Sequence, residues 1–243
     1  MKNPKWYRDE IILALDLYFN LESSGQIHAR NPQVIELSEI LTKLPIFTNR
    51  PDKEKFRNPN GVGLKLSNFL AIDPEYEGKG MEAYSKLDEE IFNEFVHDKN
   101  KLHQIAEQIK RTVANVEVTK RLHQISDDEA DEVESVKEGY VLYKLHKYRE
   151  RDSKITKQKK QLHFKKYGYL KCEVCGFDFH KVYGKVGKGF IECHHKVPLS
   201  EFESITETKL EDLSLVCANC HRMLHKKIDT IRINDLKALL ERK

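Results

Sequence analysis

The chain of 243 residues lacks the features that mark membrane and secreted proteins. No apolar run approaches the roughly 20 residues that a membrane-spanning helix requires. The first residues, Met1–Trp6, lack the apolar core of a secretory signal. Cysteine is absent until Cys172, so a disulfide framework cannot extend over the first two-thirds of the chain. We therefore expect a globular protein of the cytoplasm.

The formal net charge of +3 hides an uneven distribution of charge along the chain. Residues 1–126 carry 18 basic and 19 acidic groups, whereas residues 127–138 carry one lysine against seven acids. Residues 139–243 carry 23 basic and 13 acidic groups. A basic surface raises the local concentration of a polyanion. The C-terminal part is therefore the better candidate for contact with nucleic acid, although lysines that only solvate a surface would give the same composition.

Apolar periodicity and capping signals predict a mainly helical N-terminal region. Apolar residues recur at helical spacing from Trp6 to Leu21, and a long helical pattern runs from about Leu87 to Val113. Asn31-Pro32 and Asn58-Pro59 each join a capping side chain to the residue tolerated at the first helical position. The acidic stretch that follows has almost no apolar content, which is typical of an exposed linker. The predicted segments are a helical domain (1–126), an acidic linker (127–139), a basic connecting helix (140–166) and a C-terminal domain (167–243).

All five cysteines lie in the last 72 residues, and four form the C-x-x-C pairs Cys172/Cys175 and Cys217/Cys220. In the cytosol this spacing favours a metal site over disulfides. Zinc prefers four tetrahedral ligands, and thiolates suit its borderline-soft character. A four-cysteine site leaves no position for water, so we predict a structural Zn²⁺ that stabilises this small domain. Cys193 stands outside both pairs and is expected to be a small strand residue.

Four histidines lie between and after the cysteine pairs. His194 and His195 end an apolar segment with strand character, so their side chains point to opposite faces of the strand. His221 and His225 are four residues apart and share one face of the closing helix. Each histidine alone is more simply explained as a polar core or surface residue. Four histidines at these spacings favour a second metal centre that does chemistry.

These residues closely resemble the HNH, or ββα-metal, endonuclease motif, over roughly residues 165–228. In that family a His-His pair, a central Asn and a final His surround one divalent metal on a ββα finger. The resemblance implies an α+β fold, in which a mainly helical N-terminal domain precedes a zinc-stapled ββα-metal nuclease domain. It also implies a phosphodiester hydrolase whose partner is double-stranded DNA. Cleavage of both strands with one active site per chain would favour a homodimer.

The resemblance assigns a role to each matching position. His195 matches the general base that takes a proton from the attacking water. Asp212 stands in the place of the central Asn, which departs from the family pattern, and an acid there can still fix the loop by hydrogen bonds. The positions that match ligands of a catalytic Mg²⁺ or Mn²⁺ are His194, His221 and His225.

A nuclease domain at the end of a two-domain chain resembles the layout of McrA-like, modification-dependent (type IV) restriction enzymes, which act in defence against phage and other foreign DNA. Their N-terminal modules sense methylcytosine or phosphorothioate DNA. The most distinctive N-terminal block here offers polar groups for phosphates and an apolar cup that suits a weakly hydrated sulfur. Its candidate DNA-binding residues are Arg57, Asn58, Pro59, Val62 and Lys65, joined in the C-terminal domain by Lys196 and Arg222. A capped helix start in a helical bundle explains the same block without DNA contact.

Two other functions fit the same residues. A sequence-specific type II-like HNH restriction enzyme, or a nicking enzyme, would act on unmodified DNA. A zinc-stabilised DNA-binding protein without catalytic activity belongs to a different class, and the intact set of four histidines argues against it. Cleavage of plasmid DNA that depends on Mg²⁺ or Mn²⁺ separates the enzymes from the binding protein.

Overall fold

A computed structural model of the chain describes residues 3–21, 24–47, 54–78, 83–124, 139–150, 153–196, 209–226 and 231–241. The chain divides into two compact units. The first comprises Met1–Ser126 with Glu138–Leu142, and the second comprises Asp127–Lys137 with Tyr143–Lys243. The acidic linker predicted at 127–139 lies outside the described residues except for Gly139. Among the described residues, no helix is both long and apolar enough to cross a membrane.

The first unit is built from helices that pack around a central one. Five consecutive residues of this central helix, from Ile11 to Leu15, have no exposed surface. A helix that is apolar on every side has to be enclosed by other helices, and α2, α3, α4 and α5 all contact α1. The helices are α1 (Arg8–Asn20), α2 (Pro32–Lys43), α3 (Pro59–Leu70), α4 (Lys86–Phe95), α5 (Lys99–Ala114) and α6 (Val116–His123).

Capping side chains set the ends of these helices. Asn31 accepts a hydrogen bond from the backbone N–H of Gln33 at the start of α2, and Asn58 accepts one from Gly61 at the start of α3. Both helices begin at the predicted Asn-Pro signals. The single long helix predicted from Leu87 to Val113 is instead two helices. The chain turns after α4. Asp98 then caps the start of α5, because its side chain accepts a hydrogen bond from the N–H of Lys101.

Arg57 corrects the expectation that this block contacts DNA. Its side chain is buried, and its guanidinium makes a two-pronged ion pair with Glu10, with Nε 2.6 Å from Oε1 and Nη2 2.9 Å from Oε2. It also donates to the carbonyl oxygens of Pro4 and Lys5 and lies 4.5 Å from the centre of the Trp6 ring. With its donors used inside the protein, Arg57 stabilises the first unit and does not present them to a phosphate.

Two neighbouring candidates, Val62 and Lys65, also lie in the interior. Val62 is fully buried, and the buried Lys65 ammonium lies 2.7 and 2.8 Å from the two carboxylate oxygens of Asp88. Asn58 and Pro59 form the cap and first turn of α3. Burial thus argues against phosphate contacts by Arg57 and Lys65 and against Val62 as part of the apolar cup, and the capped helix start explains the block.

Two helices replace the one predicted over 140–166. They are α7 (Tyr140–Glu150) and α8 (Ser153–Tyr167). The backbone N–H groups of Tyr140 and Val141, at the start of α7, donate to the buried carboxylate of Asp9 at 2.7 and 2.8 Å. Gly139 is required there, because its φ is +89° and a Cβ would lie 2.6 Å from Asp9 Oδ1.

The rest of the second unit contains a two-stranded sheet and short helices. Strands β1 (Glu192–His195) and β2 (Leu213–Val216) are antiparallel, with His194 opposite Ser214 and His195 opposite Leu213. The helices are α9 (Phe179–Tyr183), α10 (Ala218–Lys226) and α11 (Ile233–Glu241). A β-hairpin followed by a helix, after a mainly helical N-terminal unit, confirms the predicted fold class.

Candidate active site

The four paired cysteines converge on one point of the second unit. Their Sγ atoms all lie within 4.8 Å of one another, and those of Cys175 and Cys217 are 3.7 Å apart. Cys172, Cys217 and Cys220 are buried, next to Val216 and Leu224 in a small apolar cluster. Four thiol ligands at this separation fit one tetrahedral Zn²⁺. The predicted pairing of the two C-x-x-C motifs in one metal-binding cluster is confirmed.

Hydrogen bonds close the turn of the first cysteine motif and join this motif to strand β2. Gly176 donates its N–H to the carbonyl oxygen of Cys172 at 2.9 Å with φ at +73°, which closes the first turn and favours glycine there. Glu173 and Leu215 exchange two hydrogen bonds of 2.8 Å, since Glu173 N donates to the Leu215 carbonyl and Leu215 N donates to Glu173 Oε1. The first cysteine pair is thereby joined to strand β2, and this strand leads directly into the second pair.

Side chains alternate between the two faces of strand β1, so Cys193 and His194 lie on opposite faces. Cys193 lies in an apolar cluster with Ile191 and Leu215, and burial raises the pKa of its thiol to about 11. His194, one residue further, lies on the other side of the strand, where its ring centre is 5.3 Å from that of His221 and 5.1 Å from that of His225. Cys193 is thus a neutral packing residue, as expected, and His194 belongs to a polar cluster.

A buried carboxylate completes this cluster. Glu150, the last residue of α7, places Oε2 3.0 Å from the Nε2 atoms of His221 and His225, and Oε1 2.9 Å from Nδ1 of His194. The two Nε2 atoms are themselves 2.9 Å apart. The four side chains each offer one donor atom, all within 4.8 Å of one another. The structure therefore brings together the three predicted ligand histidines and adds Glu150.

A second carboxylate holds the ring of His221. Glu192 lies two residues before His194, on the same face of β1, and its Oε2 is 2.6 Å from Nδ1 of His221. Burial alone would lower the pKa of His221, but hydrogen bonds to Glu150 and Glu192 and their charges outweigh it and raise this pKa to about 9. Nε2 of the same ring is the atom directed at Glu150. Glu192 thus fixes which nitrogen of His221 faces the cluster.

The other predicted site residues are not among the four side chains of the cluster. His195 is buried, and its backbone N–H donates to Glu150 Oε1 at 3.3 Å. Asp212 ends a 3-10 turn, where its side chain accepts from the N–H of Lys209 at 2.8 Å and its carbonyl oxygen accepts from the N–H of Lys196 at 2.8 Å. The Asp212 side chain thus closes its own turn, and its backbone carbonyl holds Lys196, the residue after His195. Lys196 is exposed next to it, and Arg222 is exposed on α10.

Sequence reasoning did not identify Glu150 or Glu192. The spacing of Glu192 carried a usable signal, because residues two apart in a strand share a face. Glu150 lies on a different element, and no local pattern connects it to His194.

A third group of acidic and histidine side chains lies in the first unit and has another explanation. Asp16, His103 and Glu107 lie close enough to share an ion. The ammonium of Lys110, however, lies 3.1 Å from Asp16 Oδ2 and 3.0 Å from Glu107 Oε1. This lysine already supplies the positive charge that the two carboxylates require. We therefore assign a structural role to this group.

The donor chemistry of the two remaining clusters differs in a way that suits different ions. Four thiols form the first cluster, which is the donor set of closed structural zinc sites. Three imidazoles and one carboxylate form the second, and this set suits first-row divalent metals such as Mn²⁺ better than Mg²⁺, which prefers oxygen ligands. The cysteine cluster fits the structural zinc that the sequence predicted.

Comparison with protein-family models matches residues 172–227 to the family described as HNH endonuclease. A search of curated proteins and a search of solved structures found no match to the chain. The matched segment contains both cysteine pairs, strands β1 and β2 and helix α10, and it ends before α11. The second unit of this chain therefore contains an HNH endonuclease domain, at residues 172–227.

Proposed function

We propose that the protein is a metal-dependent DNA endonuclease that hydrolyses phosphodiester bonds. The observation that carries this proposal is the convergence of His194, His221 and His225 on one point, beside His195 and inside a domain that matches the HNH endonuclease family. A protein that only bound DNA would need the zinc cluster for stability. It would have no need for a second, buried set of donor atoms.

In this proposal each side chain has a separate task. His194, His221 and His225 would hold a divalent ion, which would supply Lewis-acid stabilisation of the charge on the scissile phosphate and the leaving oxygen. His195 accepts the proton of the attacking water as the general base. Its place in the strand suits this role, since alternation directs its side chain away from the face that carries His194. Asp212, in the place of the family's central Asn, holds Lys196, the residue after His195, through its carbonyl oxygen.

The basic segment before the HNH domain supplies a candidate DNA-binding surface. Phe164, Tyr167 and Tyr169 are about half exposed, and lysines alternate with them. The Lys166 ammonium lies 4.9 Å from the centre of the Tyr167 ring, and that of Lys171 lies 4.4 Å from the Tyr169 ring. Exposed lysines beside aromatic rings provide phosphate contacts together with faces on which bases stack. Lys196 and Arg222 remain candidate contacts nearer the site.

Restriction of modified foreign DNA is the narrower form of the proposal. It rests on the resemblance of the domain layout to McrA-like enzymes, because Arg57, Val62 and Lys65 are committed to the interior. A homodimer remains part of this hypothesis, since one active site per chain cuts one strand at a time. The alternative, an HNH enzyme that recognises an unmodified sequence, uses the same catalytic residues and differs only in its substrate.

A cleavage assay tests the proposal. The zinc-loaded protein is incubated with Mn²⁺ and with unmodified, cytosine-methylated or phosphorothioated plasmid, with a chelator control for each. We expect nicked or linear products that require Mn²⁺, and cutting restricted to a modified plasmid would support the narrower form. Equal cutting of all three plasmids favours the alternative substrate. Binding of DNA without metal-dependent cleavage of any plasmid contradicts the enzyme assignment.

A further inference from the structure

The HNH family match begins at residue 172. Glu150 lies well before this residue, yet it forms one cluster with His194, His221 and His225, here called the histidine cluster. Glu150 is the last residue of α7, and its side chain is 4% exposed. A carboxylate at this depth is costly unless positive charge or several hydrogen bonds compensate for its lost hydration. Three of the side chains directed at it are the imidazoles of His194, His221 and His225.

The positions of its two oxygens show how Glu150 takes part in the cluster. Oε2 lies 3.0 Å from both His221 Nε2 and His225 Nε2, and Oε1 lies 2.9 Å from His194 Nδ1. Each histidine thus presents to the carboxylate a ring nitrogen that could bind an ion. The same Oε1 lies 3.3 Å from the backbone nitrogen of His195. Glu150 therefore contacts every histidine of the site at once, from an element outside the ββα finger.

We propose that Glu150 is the fourth protein ligand of the divalent ion held by His194, His221 and His225, and that it sets the metal selectivity of the site. This inference rests on the proposed metal centre and adds a residue to it. Glu150 is the one oxygen donor in a set that is otherwise nitrogen. Carboxylates suit Mn²⁺, whereas imidazoles bind zinc and other later metals at least as well.

The number of ligands matters as much as their type. Four protein donors fill the coordination sphere of an ion that takes four ligands, as zinc does in closed sites. They leave two positions free on an ion that takes six. With Glu150 in place, the site would therefore favour an ion that accepts six ligands, because such an ion would keep room for water and for a phosphate oxygen.

The test compares metal binding by wild type and Glu150→Gln, a variant that keeps the shape but loses the charge. Protein with its cysteine site loaded with zinc is titrated with Mn²⁺ by calorimetry and by Mn²⁺ electron paramagnetic resonance. Zn²⁺ affinity at the second site is measured by competition. We expect the Mn²⁺ affinity to fall at least about 10-fold, and the Zn²⁺ affinity to fall less. Glu150→Asp, which retains a carboxylate, should recover part of the Mn²⁺ affinity.

Two controls keep the outcome interpretable. Glu211→Gln removes an exposed carboxylate of the same unit and should leave both affinities unchanged. One bound zinc per chain and an unchanged circular dichroism spectrum show that Glu150→Gln is folded. If it does not fold, Glu150→Asp decides alone, because a shorter carboxylate should still lower the ratio of Mn²⁺ to Zn²⁺ affinity.

The opposite result is equally clear. If Glu150 only accepts hydrogen bonds from imidazole N–H groups, an incoming ion has to displace it, and Glu150→Gln leaves Mn²⁺ affinity unchanged or raises it. That outcome overturns the inference. A wild type that binds Mn²⁺ through Glu150 but cleaves no DNA would refute the nuclease proposal while leaving this ligand assignment standing.

Discussion

Oε2 of Glu192 lies 2.6 Å from Nδ1 of His221, on the side of the ring opposite to Glu150. A carboxylate that holds the outer nitrogen of a ligand histidine fixes its tautomer and raises its basicity as a ligand. Glu192 and His194 reach the same face of β1 because they are two residues apart. One short strand thereby supplies a proposed ligand and the group that orients another ligand.

The first prediction concerns this orienting role. Glu192→Gln should lower the affinity of the histidine cluster for Mn²⁺ by about 10-fold, because the negative charge that favours His221 as a ligand is lost. The loss should not be larger, because the amide oxygen still accepts a hydrogen bond from His221. Calorimetric titration of zinc-loaded protein measures it, with Glu211→Gln as the exposed control. An unchanged affinity would show that Glu192 does not act through His221.

Removal of one zinc ligand should unfold the small domain. Structural zinc contributes on the order of 10 kcal/mol in small domains, and the apolar cluster around Cys217 is too small to replace it. Cys172→Ser should therefore lose the bound zinc and the hydrogen-exchange protection of strands β1 and β2. Cys193→Ala is the matched control, since Cys193 is buried outside the cluster. Retention of one zinc by Cys172→Ser would contradict the assignment.

Arg57 should prove to be a stability residue. Arg57→Met leaves Glu10 as an unpaired buried charge, which costs about 3–5 kcal/mol of unfolding free energy. Urea denaturation followed by the fluorescence of Trp6, the one tryptophan of the chain, measures the loss. The double variant Glu10→Gln/Arg57→Met should recover most of it, because no charge is then left unpaired. A folded Arg57→Met with normal stability and weakened DNA binding would restore the DNA-contact role.

A pH dependence follows from Asp9, whose burial raises its pKa to about 7. The folded state holds this proton more tightly than the unfolded chain, where the pKa is near 3.8. The stabilisation is therefore complete below about pH 4 and is lost as pH rises through about 7, with a slope of at most about 1.4 kcal/mol per pH unit. Urea midpoints of wild type and Asp9→Asn at several pH values isolate this contribution. Parallel profiles for the two proteins would refute it.

Local signals in the sequence were sufficient for much of the fold and the site. The Asn-Pro pairs before α2 and α3 predicted where both helices begin, because capping depends on neighbouring residues alone. The cysteine and histidine spacings likewise identified the clusters, since each motif places its side chains within a single turn or strand.

Arg57 and Glu150, which the sequence misplaced or missed, depend on distant partners. Arg57 looked like a surface charge because its partner, Glu10, lies 47 residues away in the chain. Glu150 joins the histidine cluster from 75 residues before His225, so no spacing rule connects them. The break before α5 did have a local signal, because Asp98 is a capping residue, but the apolar pattern continued across it.

The most direct test of the central claim is the cleavage rate of His195→Ala. The proposal assigns proton transfer to His195 and metal binding to the other histidines, so this variant should cut plasmid DNA about 100- to 10,000-fold more slowly. It should still bind Mn²⁺ and DNA with wild-type affinity and keep its zinc. Cleavage by His195→Ala at the wild-type rate would contradict the account.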